Sequence, residues 1–449
     1  MTAVGISVTS TQRAWLERAA PVLIFVVALA LAWGRLDGGN RGAMWAEDGN
    51  IFSQRALDPS LQTAGLLTPY AGYTHAVPQL IASVTWALVP IEKVAIAFTA
   101  ASCATAAAVA ALIWVFTRSW RLNVPGRLLL CLITVLVPGL NYEVLGNLAN
   151  IHWFLLWLSP FMFWFVPRRW WSAVAVGVLA FFVVATEIQA LIFAPFMLWK
   201  AKDRRRWPLY AGAIAGAIVQ MSAYFQNSPS RGDGQRSVPA AIMGYFVQVP
   251  LTALTGTGQS ASAAVGFSGW MIAYIAILPF VAAGVIVAMR SRRSLIVVAT
   301  LILASFLLWT AGFLVNFLAP FDFSAMNADT LKAGIPLLRY CIVPMMFLLA
   351  LVALAVGANR DAFRLGEATR SNARSWILPA MGAVLLCALF TAGYTTNVAP
   401  SRASALTWSQ GLESARAECV SSGGDVATVA IAPANWTLEV PCDRLTAVR

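Results

Sequence analysis

Apolar runs long enough to cross a bilayer recur along the whole chain, and short clusters of Lys and Arg separate them. A hydrocarbon core about 30 Å thick takes roughly 20 apolar residues per helix. Inside it the backbone must satisfy its own hydrogen bonds, which selects helices. Only 11% of the 449 residues are charged and 59% are hydrophobic, whereas a soluble domain carries about 25% charged residues. Too little polar surface exists to cover a water-soluble fold. The sequence predicts an all-α polytopic membrane protein. Its 18 Trp and nine Tyr suit interfacial belts. A net charge of +12 is also found in nucleic-acid binders. Here the basic residues lie between apolar runs, as in cytoplasmic loops, and no basic stripe is interleaved with aromatics. No nucleic-acid partner is expected.

Placing the basic clusters inside gives about eleven crossings, with the N-terminus cytoplasmic and the C-terminus extracytoplasmic, in the plasma (inner) membrane. The run 19–33 is read as an uncleaved anchor. Further crossings follow at 91–117, in hairpins over 128–166 and 170–199, and at 207–225, 268–289, 294–316, 340–357 and 376–396. The hairpin 170–199 is too short for two full crossings, so its turn near Glu187 is expected below the outer surface. Residues 76–90 are expected as a re-entrant or interfacial helix. Residues 238–267, with Pro250 in the middle, read as external or re-entrant. An external loop holds Arg231, Asp233 and Arg236, and an inner cluster holds Arg360, Arg364, Arg370 and Arg374. Residues 1–396 thus form a membrane domain, with 37–90 as its first external loop, and 397–449 form an exported tail.

Cysteines agree with this orientation. Cys103, Cys131, Cys341 and Cys387 lie in apolar spans, where thiols pack as small hydrophobes. Cys419 and Cys442 alone lie in polar sequence, both in the tail, and a disulfide between them is expected in an oxidising compartment. A helix around 404–419 and a strand near 426–431 make the tail a small α/β appendage.

Unusual residues collect on the outer face. Glu47 and Asp48 adjoin directly after the first apolar run, in Met44-Trp45-Ala46-Glu47-Asp48-Gly49. They read either as a general base or metal-binding pair for Mg or Mn, or as an acidic helix start. Glu187, at membrane depth, reads as a ligand for a sugar hydroxyl or cation, or as half of a salt bridge. Glu143 stands near Asn147, Asn150 and His152. The last three have near-helical spacing, which suits one face binding a polyhydroxylated ligand, or capping and packing at a helix start. His75 stands among Pro and Tyr residues, where packing is the simpler role. Arg339 and Tyr340 open a span: Arg suits a grip on phosphate, or snorkels beside a belt Tyr. No Walker loop, dinucleotide fingerprint or HExxH motif occurs, which disfavours ATP-driven transport.

The acidic pair Glu47-Asp48 in the first external loop, with Tyr73 through Leu80 and Pro78 after it, resembles the GT-C superfamily of membrane glycosyltransferases. The resemblance covers the first 90 residues or so, and the rest by topology. It implies a GT-C-like fold and transfer of a hexosyl or pentosyl group from a polyprenyl-phosphate donor to a cell-envelope glycan or glycolipid. Glu47 or Asp48 is then the base or metal ligand, and Arg339 a partner of the lipid phosphate. His75, Glu143, Asn147, Asn150, His152, Glu187 and Tyr340 are then substrate contacts. The small tail departs from the larger exported domains of several members. The competing classes are a transporter or flippase of a lipid-linked glycan and a non-catalytic assembly subunit.

Overall fold

The computed structural model describes residues 10–58, 60, 65–70, 72–120, 122–226, 237–316, 319–358, 374–395 and 406–446. The loop with Arg231, Asp233 and Arg236 and most of the inner cluster after residue 358 lie outside them, as do the side chains of Arg13 and Arg374. The chain is largely helical, with one two-stranded antiparallel sheet near its C-terminus. Among the described residues seven helices are long and apolar enough to cross a membrane: Glu17–Gly34, Ile91–Trp120, Val124–Glu143, Val238–Thr255, Met271–Ala288, Arg292–Val315 and Arg339–Ala358.

That number differs from the eleven crossings expected. Four of the expected limbs are shorter apolar helices: Ile151–Trp164, Trp170–Thr186, Ile188–Leu198 and the segment Ala380–Tyr394. A fifth, Trp207–Gln226, has 20 residues but is diluted by Gln220, Ser222 and Gln226. The segment read as external or re-entrant supplies one of the seven. Pro250 does not break Val238–Thr255, because the chain widens into a π-helical turn over Val247–Leu251, which absorbs the missing amide. The helix Ala76–Leu88 has 13 residues, about 20 Å at 1.5 Å per residue, short of a bilayer.

The contacts divide the chain into two units. The first contains residues 1–31, 107–140 and 231–397. Its helices approach where side chains vanish. A Cβ on Gly126 would lie 2.2 Å from the Cα of Gly357, so glycine alone permits the crossing. Asn123 locks it, its backbone N–H donating to the Gly357 carbonyl and its side chain to that of Val356. At the same end of this unit Glu17 accepts from Arg127 Nη1 at 2.7 Å and pairs with Arg118. The Arg127 guanidinium lies 3.7 Å from the centroid of the Trp114 ring.

The second unit contains residues 32–106, 141–230 and 398–449. Helices Trp170–Thr186 and Trp207–Gln226 run side by side in the same direction, because Gly212 and Gly216 sit four residues apart on the contact face. A Cβ on Gly212 would lie 1.9 Å from the Gly177 carbonyl oxygen. The hairpin after Thr186 turns at Glu187, in extended backbone, and returns as a 3₁₀ helix over Ile188–Leu198. A 3₁₀ helix rises about 2 Å per residue against 1.5 Å for an α-helix. Eleven residues therefore cover about 22 Å, which helps so short a segment fold back.

The tail belongs to this unit and covers the segment 42–54. Helix Trp408–Ser422 packs on strands Val426–Ile431 and Trp436–Pro441, and Cys419 is bonded to Cys442. Trp408 is buried, donating from its backbone to Gly42 and from its indole to Ile91. Ala432 exchanges backbone hydrogen bonds with Met44 and Ala46. Asn50 donates to Thr437, and Gln54 bonds both ways with Glu439.

Candidate functional site

The site is built within the second unit, from the first external loop upward. Ala46 has φ +33°, a conformation that costs a non-glycine residue about 1–3 kcal/mol. The bonds to Ala432 hold it there. Immediately after it the chain enters a π-helical turn, Asp48–Ser53. Glu47 stands at its start, half-buried, with no side-chain partner among the described residues. Asp48 is only 2% exposed. Its Oδ2 accepts the N–H of Leu148 and its Oδ1 that of Ala149, both at 2.9 Å. Adjacent carboxylates thus have different environments: one is clamped by backbone amides, the other open.

Asp48 ties this loop to the turn before helix Ile151–Trp164. In that turn Asn147 and Asn150, both buried, donate to the Glu143 carbonyl at 2.8 and 3.0 Å. Asn147 Oδ1 accepts the N–H of Asn150, and Asn150 Oδ1 accepts from the Trp153 indole. Residues 144–150 form turns and the helix begins at Ile151, so Asn147, Asn150 and His152 do not share a helical face. The asparagine amides close the turn, and Glu143 contributes its carbonyl to it. Its physical result is a fixed position for His152.

His152 points its Nδ1 at Glu187 Oε2, 2.6 Å away; their side chains are 13% and 9% exposed. The other carboxylate oxygen, Oε1, accepts the N–H of Gln189. The second histidine is beside the first: the His75 and His152 rings meet edge to face with centroids 5.6 Å apart. His75 is 5% exposed, and Tyr73 and Phe52 meet it edge-on at 4.5 and 5.6 Å. The protein's two histidines therefore meet in one aromatic cage with Glu187.

Gln220, mid-way along an otherwise apolar helix, sets this spacing. It accepts from the Thr74 amide and donates to the Thr74 and Ala185 carbonyls, all at 2.9 Å. One buried amide thereby pins the residue before His75 and the turn before Glu187. Thr186 Oγ1 accepts from the Val77 amide, and Arg55 donates to the carbonyls of Thr68 and Pro69. Burial lowers the Arg55 guanidinium below its usual value. The sequence reading missed Gln220 and Arg55; a lone Gln in an apolar helix was the available signal. Three buried side-chain oxygens on the segments that carry His75 and Glu187 have no partner among the described residues: Thr74 Oγ1, Gln79 Oε1 and Gln189 Oε1. Such atoms mark a place for polar ligand groups or water.

Arg339 and Tyr340 belong to the first unit. They form a 3₁₀ turn at the start of helix Ile342–Ala358, with the guanidinium 5.5 Å from the Tyr340 ring centroid. Tyr340 lies against Gly312. Among the described residues no group of three or more His, Cys, Asp or Glu side chains is arranged to hold a metal ion. Each Asp48 oxygen accepts one amide hydrogen, and Glu47 is its neighbour in the chain.

Comparison with family models, with curated proteins and with solved structures returned no match. The fold and site define a largely helical protein with seven helices, among the described residues, long and apolar enough to cross a membrane, a buried His–Glu dyad and a small disulfide-bonded tail.

Proposed function

We propose that this chain is an integral membrane glycosyltransferase. It moves a hexosyl or pentosyl group from a polyprenyl-phosphate donor to a hydroxyl of a cell-envelope glycan or glycolipid, on the extracytoplasmic face. The observation that carries this reading is the His152–Glu187 dyad, with partnerless oxygens of Thr74, Gln79 and Gln189 on the segments that carry His75 and Glu187. An imidazole oriented by a carboxylate is the arrangement that accepts a proton from an attacking hydroxyl. Those oxygens suit a polyhydroxylated ligand.

Glu187 holds Nδ1 of His152, and Nε2 takes the acceptor's hydroxyl proton. The acceptor oxygen attacks the anomeric carbon of the sugar. The bond from that carbon to the phosphate oxygen breaks, and its electron pair leaves with the polyprenyl phosphate. Direct displacement inverts the configuration. Glu47 grips acceptor hydroxyls, while Asp48 holds the loop against Leu148 and Ala149. In the GT-C-like arrangement the shorter helices complete eleven crossings, N-terminus in and C-terminus out. Val238–Thr255 and Gly258–Ser268, joined through Gly256 with φ +87°, form a re-entrant pair, which keeps the number odd.

The test is a reconstituted assay with labelled polyprenyl-phosphate sugars and a panel of envelope acceptors. Transfer that His152→Ala and Glu187→Gln both abolish, at normal membrane levels, supports the reading. Donor bound but never consumed across the panel points instead to a transporter. A reporter fused after Arg121 should read cytoplasmic; an external signal removes the eleven-crossing arrangement.

A further inference from the structure

In the second unit, helices Trp170–Thr186 and Trp207–Gln226 pack side by side, with Pro208 near the start of one against Gly177 in the second turn of the other. The turns leading into them carry six exposed cations: Arg168, Arg169, Lys200, Lys202, Arg204 and Arg205. One acid, Asp203, lies among them, and its carboxylate accepts the N–H of Arg205 at 3.0 Å as a turn cap. None of the six forms an ion pair with a described residue. The frame beneath them is rigid. Arg206, fully buried, donates to the Phe163 carbonyl at 2.6 Å, and Trp164 stacks on Trp199 at 5.6 Å.

The exposed surface changes in order along these helices. After the cations come three exposed indoles, Trp170, Trp171 and Trp207. Beyond them the exposed residues are aliphatic: Val174 and Val178 on one helix, Ile214 and Ile218 on the other. Cation, indole, aliphatic is the order of polarity from headgroup through interface to acyl chain. A soluble acidic partner would explain the cations but neither the indoles nor the aliphatic continuation.

We propose that this end is a binding site for anionic phospholipid. The phosphate groups lie between the Arg168-Arg169 and Lys200–Arg205 turns, and the acyl chains run along Val174, Val178, Ile214 and Ile218. Six unpaired cations repel one another, and a layer of phosphodiesters relieves that repulsion while the indoles hold the depth. The inference is independent of the glycosyltransferase reading; it requires only that the unit be embedded in a bilayer.

The experiment uses the full chain purified in nanodiscs containing phosphatidylglycerol and phosphatidylcholine, with retained lipid measured by native mass spectrometry. Phosphatidylglycerol should be retained at least about ten-fold over phosphatidylcholine. The quadruple variant Arg168→Gln, Arg169→Gln, Arg204→Gln, Arg205→Gln should lose that preference, and Arg292→Gln with Arg293→Gln in the first unit should keep it. Brominated phosphatidylglycerol should quench the wild-type indoles more than brominated phosphatidylcholine does, a readout that needs no variant to fold. Equal retention or equal quenching of the two lipids overturns the proposal. So does displacement by millimolar inorganic phosphate, which would make the site one for free anions, and so does an acidic protein bound without any lipid preference.

Discussion

Nδ1 of His152 lies 2.6 Å from Oε2 of Glu187, although 35 residues separate them. Neither residue chooses that geometry alone. Asp48 and the asparagine turn place His152, while Gln220 places the end of the helix before Glu187. The dyad is assembled by four separate stretches of the second unit.

Removing the carboxylate should therefore be felt through the imidazole. Glu187→Gln is expected to lower the rate of transfer by about 10²–10⁴-fold, with KM little changed, since proton transfer supplies about that factor. Free imidazole should partly restore His152→Ala and leave Glu187→Ala unaided. Steady-state kinetics in the reconstituted system reads both effects. A raised KM at unchanged kcat assigns the pair to binding instead.

Glu47 and Asp48 should separate cleanly by stability. Asp48→Asn turns an NH2 group toward one of the two backbone amides and leaves that donor unsatisfied. The cost is about 1–3 kcal/mol, visible as a lower Tm in detergent and faster amide exchange at Leu148 and Ala149. Glu47→Gln, half-buried and unpaired, should stay within about 0.5 kcal/mol of wild type while reducing transfer.

Gly212→Leu should damage the second unit severely. The Gly177 carbonyl occupies the space of the first added carbon, and overpacking costs about 1–3 kcal/mol or more. Low yield of folded protein and a broad gel-filtration profile are the expected readouts. Ala215→Leu, at an exposed position on the same helix, serves as the comparison.

The Cys419–Cys442 bond closes a separation of 23 residues, for which the chain-entropy relation gives about 3 kcal/mol. Cys419→Ser should loosen the tail rather than the membrane helices. Proteolysis within 406–446 should quicken, and the Trp408 indole, buried against Trp86, should shift to longer-wavelength emission. Unchanged proteolysis would mean that packing against 42–54 holds the tail without the bond.

The sequence alone determined the class of the protein and the address of its unusual residues. Recurrent apolar runs and scarce charge predict helices in a membrane, because unpaired backbone there is too costly. The same patterns predict the turn at Glu187, the short helix after His75 and a tail whose two cysteines are its only pair in polar sequence. Crossing number was less legible. Length and hydropathy alone cannot anticipate that Val238–Thr255 absorbs Pro250 in a π-helical turn, or that Ile188–Leu198 stretches as a 3₁₀ helix. Only the tertiary structure decided which polar groups are spent on building and which stay open for chemistry. Glu47 and Asp48 look alike in sequence, yet one faces two backbone amides and the other none. Asn147 and Asn150 close a turn, His152 finds Glu187, and the two histidines meet. Hydrogen bonds at this range depend on distances of tenths of an ångström between segments far apart in the chain, and spacing along a sequence carries no such information.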